Sequence, residues 1–230
     1  HTGGGAFYLH LNQMDWIGQH YYGSAPAPFH QGRMTQRDFE YMRSFMAAQP
    51  YITYFGVMEP TIEITHNLDR FRPLFVGHPA NYLDLYAQVH SVDPELMYTP
   101  WITVPAPKII EGRPIVVNRT ARWVGATPCP VWADLKAQGG EERAVFVGLP
   151  EEYTAFRTAT GWDIPHYQTQ TMLELAEVIA GAETFIGNQS QAYALAVGLG
   201  VNDIILEARV DMPLARNECY FPKFPNIRYV

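Results

Sequence analysis

Cysteine is scarce in this chain, with two residues among 230, Cys129 and Cys219, placed 90 positions apart. That spacing builds neither a metal pair nor a disulfide framework, so reduced thiols and a cytoplasmic setting are expected. Long apolar runs are missing as well: none approaches the roughly 20 residues needed to cross a bilayer, and no basic-then-apolar signal peptide opens the sequence. Basic residues are outnumbered, 16 Lys and Arg against 23 Asp and Glu, and they do not cluster. A net charge of −7 without a basic face argues against a nucleic-acid partner. The eight histidines show no H-x-x-x-H or H-x-E spacing, so no metal is expected. Two nucleotide fingerprints are also absent. No G-x-G-x-x-G follows the β-type run at 114–118, and no G-x-x-x-x-G-K-[ST] occurs anywhere, which disfavours an NAD enzyme and a P-loop NTPase.

What is present is an apolar fraction of 47%, enough for a soluble globule with a real core, as one large domain or two small ones. The first third is rich in aromatics. A strand is expected over "AFYLHLN" (6–12), then a Pro- and Gly-broken loop, and then a helix started by Thr35 that carries Phe39, Met42, Phe45 and Met46 on one face and stops at Pro50. The β-rich "YITYFGVM" (51–58) and an amphipathic helix at 80–90 follow. The stretch at 99–114 reads as a short strand running into a linker, and a domain boundary is placed near residue 107, dividing the chain into 1–106 and 107–230.

Beyond that boundary β-type and helical runs alternate. Strands are expected at 114–118, 143–149, around 164–168, at 184–188 and at 203–208. Helices are expected at 131–138, 151–160, 171–182 and 191–199. Strict alternation implies βαβ units, hence an α/β fold whose C-terminal part is a doubly wound, Rossmann-like parallel sheet. In such sheets ligands bind beyond the carboxyl ends of the strands. Asn118, Arg119, Thr120 and Arg122 follow the first of those strands, where two guanidiniums and a hydroxyl suit a phosphate or diphosphate, or else lie solvated on a loop. Gly148 stands at the end of the next strand, and Glu151 and Glu152 sit in the first helical turn after it, serving the helix dipole or a ribose hydroxyl. Asn188, Gln189 and Ser190 place a polar loop between two segments that both favour burial.

The run "QTQTMLELAEVIAGAETFIGNQSQAYALAVGLGV" (168–201) resembles, without gaps, the C-terminal signature of heptosyltransferase-like glycosyltransferases, glycosyltransferase family nine with the GT-B fold. Thr171, Leu173, Glu174, Leu175, Ala176, Gly187, Asn188, Ser190, Leu199, Gly200 and Val201 fall on that pattern, with looser likeness at 77–88 and in "VVNRTARW". The resemblance implies two Rossmann-like domains, a nucleotide-sugar donor held mainly by the C-terminal one, and a glycan or other hydroxyl acceptor approached from the N-terminal one. It also implies metal-independent inverting transfer, with Arg119, Thr120 and Arg122 stabilising the leaving diphosphate and Asn188 to Ser190 holding donor sugar or phosphate.

Four positions or segments depart from the pattern. Gln189, Gln191 and Ala194 stand where the family has Asp, Gly and His, and the family's opening βα unit, with its Gly-Asp loop, is missing from the chain as given. Asp15 and Asp69 are the nearest acidic residues in loops, and no catalytic residue is assigned. Two readings therefore stay open. One is a glycosyltransferase that needs no cofactor besides its nucleotide-sugar substrate. The other is a non-catalytic glycosyltransferase-derived module, whose Tyr-rich N-terminal half, with Tyr8, Tyr41, Tyr51 and Tyr54 among others, would serve a protein or glycan surface.

Overall fold

Runs of Val, Ile and Phe in the C-terminal half are too short and too apolar to lie on a surface, and each becomes a strand buried on both faces. The computed structural model describes residues 4–11, 34–71, 82–120, 129–207 and 224–230. In chain order the strands are β1 (Gly5–Leu9), β2 (Ile52–Val57), β3 (Ile115–Asn118), β4 (Ala144–Val147), β5 (His166–Tyr167), β6 (Thr184–Gly187), β7 (Asp203–Leu206) and β8 (Ile227–Tyr229). The α-helices are α1 (Gln36–Ala47), α2 (Tyr82–His90), α3 (Val131–Ala137), α4 (Pro150–Thr160), α5 (Met172–Ala180) and α6 (Gln191–Leu199).

The last six strands form one sheet in the order β5-β4-β3-β6-β7-β8, and every neighbouring pair is parallel. Counted within the sheet this is the 3-2-1-4-5-6 order of a Rossmann fold. Alternation within the strands sorts the core into two layers. Val116, Val145, Val147, Phe185, Ile204 and Leu206 share a cluster with α5 and α6, while Ile115, Val117, Phe146, Ile186 and Ile205 share the other with Trp132 of α3 and Phe156 of α4. Helices on both faces keep the four central strands, β4, β3, β6 and β7, almost wholly buried, which is why these strands read as apolar runs.

The N-terminal residues add a βαβ unit. β1 and β2 pair in parallel, and α1 connects to β2 after a reciprocal cap in which the Thr35 hydroxyl accepts from the Asp38 amide and the Asp38 carboxylate accepts from the Thr35 amide at 2.8 Å. Phe39 of α1 stacks on Phe55 of β2 with ring centroids 4.8 Å apart. The far side of α1 packs on α5, and Phe45 and Met46 join the same buried cluster as the C-terminal helices. The two halves thus share part of one core.

The segment at 99–114 differs from the expected strand. The amides of Trp101 and Ile102 both donate to the Gly198 carbonyl of α6 at 2.9 Å, and the Lys108 amide donates to the Glu177 carbonyl of α5 at 2.8 Å. Its amides bond helix carbonyls, the Gln49 side chain and the segment itself, not a neighbouring strand, so the chain stays irregular. The tail strand β8 goes beyond the expected elements. It is a three-residue edge strand held by Arg228, whose Nη2 donates to the Asp203 carboxylate at 2.7 Å. Among the described residues no helix is long and apolar enough to cross a membrane.

The connecting segment fits because Gly181 has no side chain. A Cβ there would collide with the Lys108 carbonyl oxygen. Gly181→Ala should destabilise the protein by about 1–3 kcal/mol, the usual cost of overpacking. The check is urea denaturation followed at tryptophan. A loss below about 0.5 kcal/mol would show that the segment is not held against α5.

Candidate functional site

In this strand order the chain leaves β3 in one direction and returns to β6 in the other, so a crevice opens between the carboxyl ends of these two strands. The residues expected there do converge. Asn118 ends β3, and its Nδ2 donates to the Val147 carbonyl at the end of β4 at 2.8 Å. Its Oδ1 accepts from the Ser190 hydroxyl at 2.8 Å. Ser190 also caps α6 by accepting from the Tyr193 amide at 3.3 Å. One asparagine thereby ties two strand ends to a helix start.

Asn188, fully buried, does a second joining task. Its Oδ1 accepts from the Thr120 amide and its Nδ2 donates to the Thr120 carbonyl, both at 3.0 Å. The amide continues the β3–β6 ladder by one rung with a side chain in place of backbone. Gln189 is buried at 7% exposure, whereas Thr120, Gly148 and Ser190 are half-buried and border the crevice.

Arg119 points away from that border. Its Nε and Nη2 donate to the two carboxylate oxygens of Glu207 at 2.6 and 3.0 Å, with the arginine 7% and the glutamate 3% exposed. Glu207 follows β7, and its amide donates to the Gly187 carbonyl at 2.7 Å. The pair therefore straps the ends of β3, β6 and β7 together. The Cys129 amide adds a contact to Glu207 at 3.4 Å, and burial pushes the Cys129 thiol up from its ordinary pKa. Arg122, Asp15 and Cys219 lie outside the described residues.

On α4 the inner carboxylate is Glu152 rather than Glu151, which is exposed. The Glu152 Oε2 accepts from the Leu149 amide at 2.9 Å and sits beside Gly148. A Cβ on Gly148 would stand 2.8 Å from that oxygen and 2.9 Å from the Asn118 Nδ2, and its φ of +143° already favours glycine. Burial raises the Glu152 pKa, the Leu149 amide opposes the shift, and the neighbouring Glu151 adds to it. Tyr41, from α1, reaches the same edge: it bonds Thr169 and lies within the field of Glu152 and Glu174, and burial, above all, raises its pKa. Sequence spacing could show that positions 151 and 152 open a helix, but only helix phase against the sheet decides which one turns inward.

The first turns of α4 and α6 both face the crevice, and they differ in charge. α4 carries Glu151 and Glu152 in its first turn, while α6 carries no acidic residue there. A phosphate is therefore better accommodated at α6, where nothing negative competes for the dipole.

Two consequences are measurable. Removing one partner of the Arg119–Glu207 pair strands the other charge, so Glu207→Gln or Arg119→Met should cost about 3–5 kcal/mol in chemical denaturation, and the double variant distinctly less than the sum. Glu152 binds its proton more tightly folded than unfolded, so it favours folding at acid pH and loses that contribution as pH rises through its folded pKa. Thermal midpoints of Glu152→Gln should therefore gain on the parent as pH climbs from the ordinary glutamate range, about 4.3. A gap independent of pH would rule out the raised pKa.

No protein-family model matches the sequence, and no curated protein does. Among solved structures, a family 9 glycosyl transferase from Veillonella parvula superposes with a TM-score of 0.53 at 10% identity, over 83% of this chain and 74% of that one. The dodecameric iron-containing heptosyltransferase TibC, solved with ADP-D-beta-D-heptose, gives 0.47 at 17% identity over 78% of this chain and 50% of its own, so the chain spans half of TibC's length. The ADP-heptose LPS heptosyltransferase II of E. coli gives 0.46 at 15% identity over 83% and 78%. At 10% identity the likeness speaks to architecture: this chain shares the α/β, Rossmann-like fold of the Veillonella family 9 enzyme.

Proposed function

We propose that the chain is a glycosyltransferase that binds a nucleoside-diphosphate sugar at the carboxyl edge of its C-terminal sheet. The observation that carries this reading is the convergence of Thr120, Gly148, Ser190 and the uncharged start of α6 at the β3/β6 crevice. The diphosphate would lie at the α6 amides with the Thr120 hydroxyl beside it. The second oxygen of Glu152, Oε1, would take a ribose hydroxyl. Arg119, occupied by Glu207, would act by holding the edge in shape. The family likeness in "QTQTMLELAEVIAGAETFIGNQSQAYALAVGLGV" adds the rest of the reading: residues 1–106 on the acceptor side, 107–230 on the donor side, and metal-independent inverting transfer to a glycan or other hydroxyl acceptor.

A second reading has its own observation. Asn118 and Ser190 satisfy each other, Asn188 is spent on the Thr120 backbone, and Arg119 is spent on Glu207, so the network is complete without a ligand. That favours a binding or structural module derived from a glycosyltransferase. The exposed rings of Tyr51 and Tyr54, at 45% and 55%, would then contribute to a partner surface.

Isothermal titration with a panel of nucleoside diphosphates tests the first reading. At least one should bind, and Thr120→Val, which keeps the backbone clamp to Asn188, should weaken it about tenfold, the worth of one hydrogen bond to a charged group. Absence of binding by every member would reject the donor site. Turnover of a sugar nucleotide would reject the non-catalytic module.

A further inference from the structure

Between the N-terminal βαβ unit and α6 lies a chamber of about 410 Å³, a size typical of small-molecule pockets. Both halves build it: Phe7 of β1, Phe45 and Met46 of α1, Trp101 and Ile102 of the connecting segment, and Leu195 of α6. The lining is mostly carbon. A bare sugar placed there would lose water from its hydroxyls without gaining partners, which costs free energy for each unmatched group.

Two amides interrupt the apolar wall, and they differ. Gln49 is committed, since its Nε2 donates to the Phe45 and Thr103 carbonyls and its Oε1 accepts from the Thr103 amide. Gln191 is exposed at the mouth. Among the described residues its Nε2 meets only the Met172 thioether, at 3.5 Å, a weak acceptor that leaves most of the amide's capacity for something else. Ala194, one turn further along α6, also borders the chamber and contributes no bulk beyond its methyl. Since a helix rises about 1.5 Å per residue, Gln191 and Ala194 lie within about 6 Å, along the axis, of the Ser190 cap at the crevice.

We propose that this chamber binds the alkyl or aryl group of an amphiphilic hydroxyl compound, with the apolar part against Ala194 and Leu195 and the hydroxyl-bearing head at Gln191, turned toward the β3/β6 crevice. That such a compound is the sugar acceptor rests on the glycosyltransferase reading above; that it binds does not. The chamber is closed on one side by the connecting segment, because the Trp101 and Ile102 amides are fastened to Gly198, so it is a formed pocket and not a seam between sliding surfaces.

The test is titration calorimetry on the full chain with octyl glucoside, kept below its micelle concentration, phenyl glucoside and glucose. Octyl or phenyl glucoside should bind at least tenfold more tightly than glucose, and which of the two is preferred separates an aliphatic from an aromatic occupant. Ala194→Phe, which fills the chamber, should abolish that preference while nucleoside-diphosphate binding persists. Ala6→Trp fills it from the exposed opposite wall and serves if Ala194→Phe does not fold by circular dichroism. Equal affinity for glucose and both glucosides, or a preference that survives the filling variants, overturns the proposal. Glucoside binding without any nucleotide binding would uphold the pocket and remove the donor site.

Discussion

Parallel strands end together at one edge of the sheet, and there the backbone runs out of ladder partners while still surrounded by protein. Everything at this edge follows from that constraint, because a buried amide or carbonyl left unpaired costs about 1–3 kcal/mol. The chain answers with side chains that imitate backbone. Asn188 pairs with both polar groups of Thr120, Asn118 reaches the Val147 carbonyl, and Ser190 closes the circuit while capping α6. The Arg119–Glu207 pair brings together the two buried charges found at this edge among the described residues. These bonds join the ends of β3, β4 and β6 to the start of α6.

The same geometry explains how the N-terminal half is placed. α1 rests on α5, and the connecting segment is fastened along α5 and α6, of which α6 starts at the crevice. α6 thus borders both the chamber and the crevice.

Periodicity made most elements legible. Thr35, Thr171 and Ser190 each accept from an amide three residues on, and all three precede apolar helical spacing. The alternation of strands and helices after residue 114 was enough for a doubly wound sheet. Less legible were the ends. The strand expected within 99–114 is irregular because the amides of Trp101, Ile102 and Lys108 bond helix carbonyls and that of Thr103 bonds the Gln49 side chain, long-range facts that β-propensity does not carry. The strand β8 has no signature in the sequence, because three residues, one of them a charged edge arginine, leave no period to count.

For the site, the sequence alone determined which polar residues stand after which strands, since element order and the right-handed crossover rule bring loops following successive parallel strands to one edge. It could not determine what those residues touch. Arg119 and Glu207 are 88 positions apart and meet only because β3 and β7 flank β6. Glu152 rather than Glu151 turns inward because of helix phase against the sheet. Ala194 and Gln191 border a chamber only because α1 and the connecting segment pack over α6. Local spacing is written in the chain at short range, whereas pairing across the sheet and packing between halves arise only when burial brings distant segments together, and there tertiary structure decided the chemistry.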